Sequence, residues 1–253
     1  PSTLRKGIEN SRNLMTIRIA QYLGMEKVAE IANRAGVMEN MPNVLSMALG
    51  AGETTLIDLT AAYASFVNGG KKVEPSLIDR IQDRRGKNIF LENFAACTNC
   101  DEPYIEENPM PKLVNSSESI FDEAKSYQMV SILKGAVDRG TGRKTKIDGI
   151  EIAGKTGTTN NNTDAWFIGF TSDLIIGVYA GFDKPKSLGK RETGSSVAVP
   201  IFRDFVKNYY QEKPILPFTI PNGIELIKIN YDTGEIASDF NSTESVYEAF
   251  SKS

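Results

Sequence analysis

The segment Gly154-Lys155-Thr156-Gly157-Thr158-Thr159, continued by Asn160-Asn161-Asn162-Thr163-Asp164 and Ala165-Trp166-Phe167-Ile168-Gly169-Phe170, carries the most informative pattern in the chain. Taken with Gly149, its opening matches the phosphate-binding pattern G-x-x-x-x-G-K-T. Such a loop is a glycine-rich turn whose amides wrap phosphate and which opens directly into a helix. Here the spacer residues Ile150, Glu151, Ile152 and Ala153 have strand chemistry, and Gly157, two threonines and three asparagines follow, a turn composition. Nucleotide binding through Gly149, Gly154, Lys155 and Thr156 therefore stands only as an alternative. The other reading puts Lys155-Thr156-Gly157 on a strand bordering a cleft. Edge amides there pair with an extended peptide, Gly157 lets it approach, and the cation with neighbouring hydroxyls captures a carboxylate. By itself K-T-G is matched equally well by a surface strand with an ordinary solvated lysine.

The flanking sequence places this segment in a sheet. Strands are predicted over 147–153, 165–170 and 174–180, the last two joined by Thr171-Ser172-Asp173. An amphipathic helix follows, with Val197, Ile201, Phe202, Phe205, Val206 and Tyr209 as its inner face and Pro200 near its first turn. Upstream, Met129, Ile132, Leu133, Ala136 and Val137 form a helical stripe stopped by Gly140 and Gly142. Before it, residues 91–119 read as an irregular surface excursion with prolines at 103, 109 and 111. The first third is helical. Met15, Ile19, Tyr22 and Leu23 form one stripe capped by Asn13, and Val28, Ile31, Ala32 and Ala35 a second. Leu56, Leu59, Tyr63, Phe66 and Val67 form a third, with Thr55 and Asp58 suited to a capping box. Residues 71–88 read as a strand pair or a strand and turn, with Arg85-Gly86-Lys87 at the bend, and 224–229 as weakly β-like. The order predicts an α+β fold, a helical lobe beside an antiparallel sheet flanked by helices. Residues 1–215 are expected to form the main unit and 216–253 a tail segment.

Composition narrows the chemistry. The 253 residues are 40% hydrophobic and 24% charged, an ordinary globular balance. A net charge of -3 removes the electrostatic drive toward nucleic acid. The chain has no histidine, which excludes Ser-His-Asp and Cys-His catalysis and histidine-ligated metals within it. Acid–base work must fall to Lys, Tyr, carboxylates or hydroxyls. The two cysteines, Cys97 and Cys100, are expected to form a local disulfide or to be idle thiols, because a zinc site lacks its remaining ligands. No metal and no cofactor are implied. The start at Pro1 leads to the expectation of a piece of a longer protein.

A second motif, Ser11-Arg12-Asn13, opens a helix, and S-x-N with K-T-G belongs to the set shared by penicillin-binding proteins and class A β-lactamases. With these motifs the chain resembles the C-terminal part of the transpeptidase domain of class A penicillin-binding proteins. The resemblance runs through 4–20, 48–70 and 129–142, the last ending Arg139-Gly140-Thr141-Gly142, and through 154–170, 179–183 and 194–202. It implies a peptidoglycan D,D-transpeptidase acting through a serine acyl-enzyme on D-Ala-D-Ala stem peptides, and acylated by β-lactams. It also implies an extracytoplasmic (periplasmic) location, with an N-terminal membrane anchor and a glycosyltransferase domain outside this chain. In it Ser11 would relay a proton, Asn13 would hydrogen-bond substrate, and Lys155 would supply positive charge. Thr156 and Thr158 would hold the substrate carboxylate, with Gly157 and Thr159 beside them, and the Thr158 N–H would form half an oxyanion hole.

The chain departs from the family at the nucleophile. The S-x-x-K motif should precede Ser-x-Asn by several dozen residues, and ten residues precede Ser11. Ser131-Ile132-Leu133-Lys134 falls mid-helix and Ser187-Leu188-Gly189-Lys190 in a loop, both in the wrong order, so both are expected to be surface residues. The nucleophilic serine and its base are expected outside this chain, together with a central helix and the first strands of the sheet, leaving the fold incomplete.

Overall fold

The computed structural model describes residues 2–92, 96–98, 112–114, 117–237 and 245–252. Cys100 and the prolines at 103, 109 and 111 lie outside the described residues, and with them the expected disulfide.

Four helices come first: α1 (Leu4–Glu9), α2 (Asn13–Leu23), α3 (Met25–Arg34) and α4 (Leu56–Val67). Arg12, not Asn13, takes the cap position of α2, and no side chain caps it; Asn13 is its first helical residue. At α4 the Thr55 hydroxyl accepts from the Asp58 amide, as the sequence predicts, but the Asp58 carboxylate takes that hydroxyl's proton rather than closing the box. The ribbon β1 (Arg80–Gln82) and β2 (Asn88–Leu91) turns through 83–87 as expected. The excursion called irregular contains a second antiparallel ribbon, β3 (Ala96–Thr98) with β4 (Lys112–Val114). Pairing across it supplies the backbone partners that the proline-spaced composition does not advertise.

Next come α5 (Glu123–Asp138), then β5 (Ala153–Thr158), β6 (Asp164–Phe170) and β7 (Ile175–Gly181), an antiparallel sheet in the order β5-β6-β7. The strand expected over 147–153 is displaced. Asp148-Gly149 makes a tight turn bridged by Ile147 and Ile150, and the strand proper begins at Ala153, so K-T-G lies inside it. Alternation along β6 divides the core. Phe167 meets Phe202 of α6 (Val199–Tyr209) edge-on, ring centroids 4.9 Å apart, with Val178, Val199 and Val206 around them. Phe170 faces the other way, with Ala153 and with Val130 and Leu133 of α5, under Tyr63 and Phe66 of α4. The result is helix, sheet, helix. The expected inner face of α6 is half right: Phe202 and Val206 are buried, whereas Ile201 and Phe205 are 54% and 53% exposed. Those two lie one residue before the buried positions, so the helix turns them off the sheet.

The chain closes with the hairpin β8 (Ile224–Asn230) and β9 (Ser245–Ser251). It packs against α5 and reaches α1: Glu248 takes two hydrogen bonds from buried Arg5, and the Gln128 amide donates to the Ala249 carbonyl.

Candidate active site

β5 forms one edge of its sheet, with no strand partner on its outer side among the described residues. Ala153 sits in the α5-facing core, and Lys155, two residues on, leaves the same face where the core ends. Its Nζ donates to Ser11 Oγ at 2.9 Å and to the Thr156 carbonyl at 2.9 Å. Residues 144 positions apart in the chain are thereby in contact. Burial lowers the Lys155 pKa to about 8, because the charged ammonium has lost part of its water.

Ser11 lies in the turn between α1 and α2 with φ 52°, the left-handed region that few side-chain-bearing residues occupy. Its amide donates to the Ile8 carbonyl, and that of Arg12 to Gly7. Asn13, on the first turn of α2, is exposed beside it. The structure thus brings Ser11 to Lys155 at the strand edge, with Asn13 two residues further along the chain.

The neighbouring hydroxyls are held differently. Thr156 Oγ1 bonds Thr141 Oγ1 at 2.8 Å. Thr158 Oγ1 accepts from the Gly194 amide at 3.1 Å, which leaves its own proton free to donate. Thr159 serves the turn into β6: it accepts from the Asp164 amide and lies 3.2 Å from the Asp164 carboxylate, which Tyr179 also contacts. Gly157 faces Trp166, where a Cβ would come within 3.2 Å of that residue's own Cβ. This edge-strand geometry is the opposite of a phosphate loop, because 153–158 is extended and only a short 3-10 turn follows at Asn160–Asn162.

The two other serine–lysine pairs are engaged elsewhere. Ser131 accepts from Arg5, Lys134 pairs with Asp138 and Glu151, and Ser187 accepts from the Gly189 amide in its loop. Ser131 and Lys134 are half-buried rather than at the surface.

A polar cluster behind Ser11 escaped the sequence reading. Glu9 is fully buried and accepts from Arg139 Nη2 at 2.6 Å, Arg139 Nε at 3.2 Å, Arg5 Nη1 at 3.3 Å and the Tyr231 hydroxyl at 2.9 Å. Gly135 and Gly140 make room for it. A Cβ on the first would overlap the carboxylate, and one on the second the Glu9 carbonyl. That carbonyl accepts from the Thr141 amide at 3.1 Å. The visible signal was Thr141 between two glycines; nothing local marks Glu9.

Comparisons with known proteins bear on the family and the fold. The family model described as Penicillin binding protein transpeptidase domain matches residues 1–207. Penicillin-binding protein 1A of Rickettsia conorii is 46% identical over 240 residues, 92% of this chain and 30% of that protein. Penicillin-binding protein 1A of Pseudomonas aeruginosa is 32% identical over 269 residues, covering 94% of this chain and 33% of that protein. The chain therefore spans about a third of the length of these curated relatives. The crystal structure of penicillin-binding protein 1A from Haemophilus influenzae superposes with a TM-score of 0.82 at 29% identity, over 98% of this chain and 40% of that one. PonA1 of Mycobacterium tuberculosis, in complex with penicillin V, shares the fold at a TM-score of 0.70 and 19% identity, over 87% of this chain and 59% of that one.

Proposed function

The chain belongs to the penicillin-binding protein transpeptidase family, and we propose that it supplies the second and third active-site motifs of a peptidoglycan D,D-transpeptidase. The observation that carries this reading is the 2.9 Å contact between Ser11 Oγ and Lys155 Nζ beside an open strand edge. The nucleophilic serine and its lysine base come from residues outside this chain. Lys155 holds the Ser11 oxygen, so Ser11 is oriented to pass a proton between that base and the leaving D-Ala amine. Asn13 bonds the substrate amide. A peptide ending in D-Ala-D-Ala, or a β-lactam, lies along β5, its carboxylate taken by the Thr158 and Thr156 hydroxyls and the Lys155 charge. The Thr158 amide donates to the oxyanion that forms as the serine attacks, where a preorganised donor gains most. The parent protein acts outside the cytoplasmic membrane, held by an anchor and joined to a glycosyltransferase domain, both beyond this chain.

Labelling with a fluorescent penicillin tests this. The longest natural form of the protein should give a stoichiometric covalent adduct, and the 253-residue chain none. An adduct on the chain alone would place the nucleophile at Ser11, Ser131 or Ser187, to be identified by peptide mapping. Reversible binding without an adduct on the long form would mean a penicillin-recognising sensor.

A further inference from the structure

Ser11 reaches Lys155 from a turn in a rarely occupied backbone conformation, and apolar packing does not hold that turn, since residues 10–14 are all exposed. The residue that is held is Glu9, just upstream. Its carboxylate is gripped by Arg139 at the end of α5, by Arg5 within α1, and by Tyr231 in the turn after β8. Its backbone carbonyl is bonded to Thr141, whose hydroxyl is bonded to Thr156. The contacts close a ring: Lys155 to Ser11, back along the chain to Glu9, across to Thr141, on to Thr156, and to Lys155 by one peptide bond. The C-terminal hairpin reinforces the ring twice. Tyr231 donates to Glu9, and Glu248 of β9 accepts two bonds from Arg5 at 2.6 Å each. The Tyr231 ring also lies 5.6 Å from the Arg139 guanidinium.

We propose that Glu9 is a positioning residue for acyl transfer, and that Tyr231 extends the same device into the C-terminal hairpin. The proposal rests on the transpeptidase reading above. If Glu9 only neutralised two arginines, its main chain would have no reason to be linked, through Thr141, to the strand that carries Lys155. Here the carboxylate is held by Arg139, Arg5 and Tyr231 and the main chain by Thr141, whose hydroxyl meets Thr156 of β5, so a shift of Glu9 changes the separation of Ser11 and Lys155. Displacements of about 1 Å in such geometry cost on the order of a hundredfold in rate.

Single-turnover acylation by penicillin in the full-length protein tests this, with the binding constant, the acylation rate constant and the acylated fraction measured separately. Tyr231→Phe removes one hydroxyl from a half-buried ring and is expected to fold. It should lower the acylation rate constant about tenfold while penicillin affinity and the acylated fraction stay at wild-type values. Glu9→Gln should lower it further; should that variant not fold, Tyr231→Phe decides. A wild-type rate constant in Tyr231→Phe overturns the proposal. So does a loss appearing only as a smaller acylated fraction, the mark of plain destabilisation. Lys155→Ala measured alongside separates the two readings: a wild-type rate there would remove the transpeptidase assignment itself.

Discussion

Lys155 rises from a sheet closed on both faces, with Phe167, Phe170, Phe202 and Val206 all at 0% exposure. Ser11 instead leads into α2, where Ala20 is the one buried residue, while Leu14 is 62% and Tyr22 89% exposed. The two halves of the candidate site therefore stand on unlike foundations. Interdigitated aromatic packing fixes the lysine side to within rotamer precision. The serine side is fixed by hydrogen bonds and ion pairs around Glu9. Apolar burial is strong and non-directional, and it orders a sheet; charge-assisted hydrogen bonds are directional, and they fix a turn.

The sheet side should give the largest loss of stability. Phe202→Ala removes a fully buried ring from between β6 and α6, and should cost about 3–5 kcal/mol as a cavity the sheet cannot collapse into. Denaturant unfolding checks this. A cost under about 1 kcal/mol would mean that the core is loosely packed and that the contrast with α2 is false.

Removing the lysine tests function rather than fold. Lys155→Ala in the full-length protein should raise the acylation barrier by about 2.7–4 kcal/mol, the scale for one preorganised electrostatic group. The fold should survive, because the ammonium leaves the core at Ala153. Rapid-quench acylation with penicillin, beside circular dichroism of the same sample, separates the two effects.

The sheet side was also the legible one. Strand alternation in 165–170 and 174–180 placed β6 and β7 to within a residue at each end, and the K-T-G strand was named from three residues and their context. The branched run Ile150–Ile152 misled, because its neighbour Gly149 turns the chain at φ 81° before pairing can begin. Ile201 and Phe205 misled for another reason: periodicity shows that a helix is amphipathic but not how wide a stripe its neighbours cover. On the serine side Ser11 and Asn13 were reached only through family resemblance. Glu9 was invisible because its partners Arg139 and Tyr231 lie 130 and 222 residues away, and an acidic residue in a short helix is normally a solvated one.

The pH response of Lys155 should be smaller than its deletion and opposite in sign for function and stability. Its folded pKa, about 8, lies below the ordinary lysine value of 10.5 because burial strips water from the ammonium. Acylation that uses its charge should therefore fall above pH 8, by about tenfold per pH unit at the limit. For stability, both states carry the proton well below pH 8, and the desolvation penalty is then complete. Between pH 8 and 10.5 the unfolded chain binds more protons than the folded one, so stability rises with pH. Lys155→Met should be at least as stable as wild type at pH 7, with the advantage fading by pH 10.5. Urea melts of both proteins across that window read the difference, and a Met variant less stable at pH 7 than at pH 10, relative to wild type, would reverse the sign.

The smallest effect belongs to the lobe. Tyr22 is 89% exposed on α2, although Met15, Ile19, Tyr22 and Leu23 are spaced as one apolar stripe. A stripe patterned for burial but left in water contributes little to stability, so Tyr22→Ser should change that of the 253-residue chain by no more than about 0.5 kcal/mol. The chain is about a third as long as its curated relatives, and a longer form in which further segments covered this stripe would bury Tyr22. There the same substitution should cost more, about 1.5–3 kcal/mol for a large apolar side chain moved from buried to exposed. Light scattering of the chain alone is the necessary companion. If copies associate through α2, the substitution should shift them toward monomer at equal protein concentration. A cost above about 1 kcal/mol in a strictly monomeric chain would show that packing holds Tyr22 despite its exposure, and the two sides of the site would no longer differ in kind.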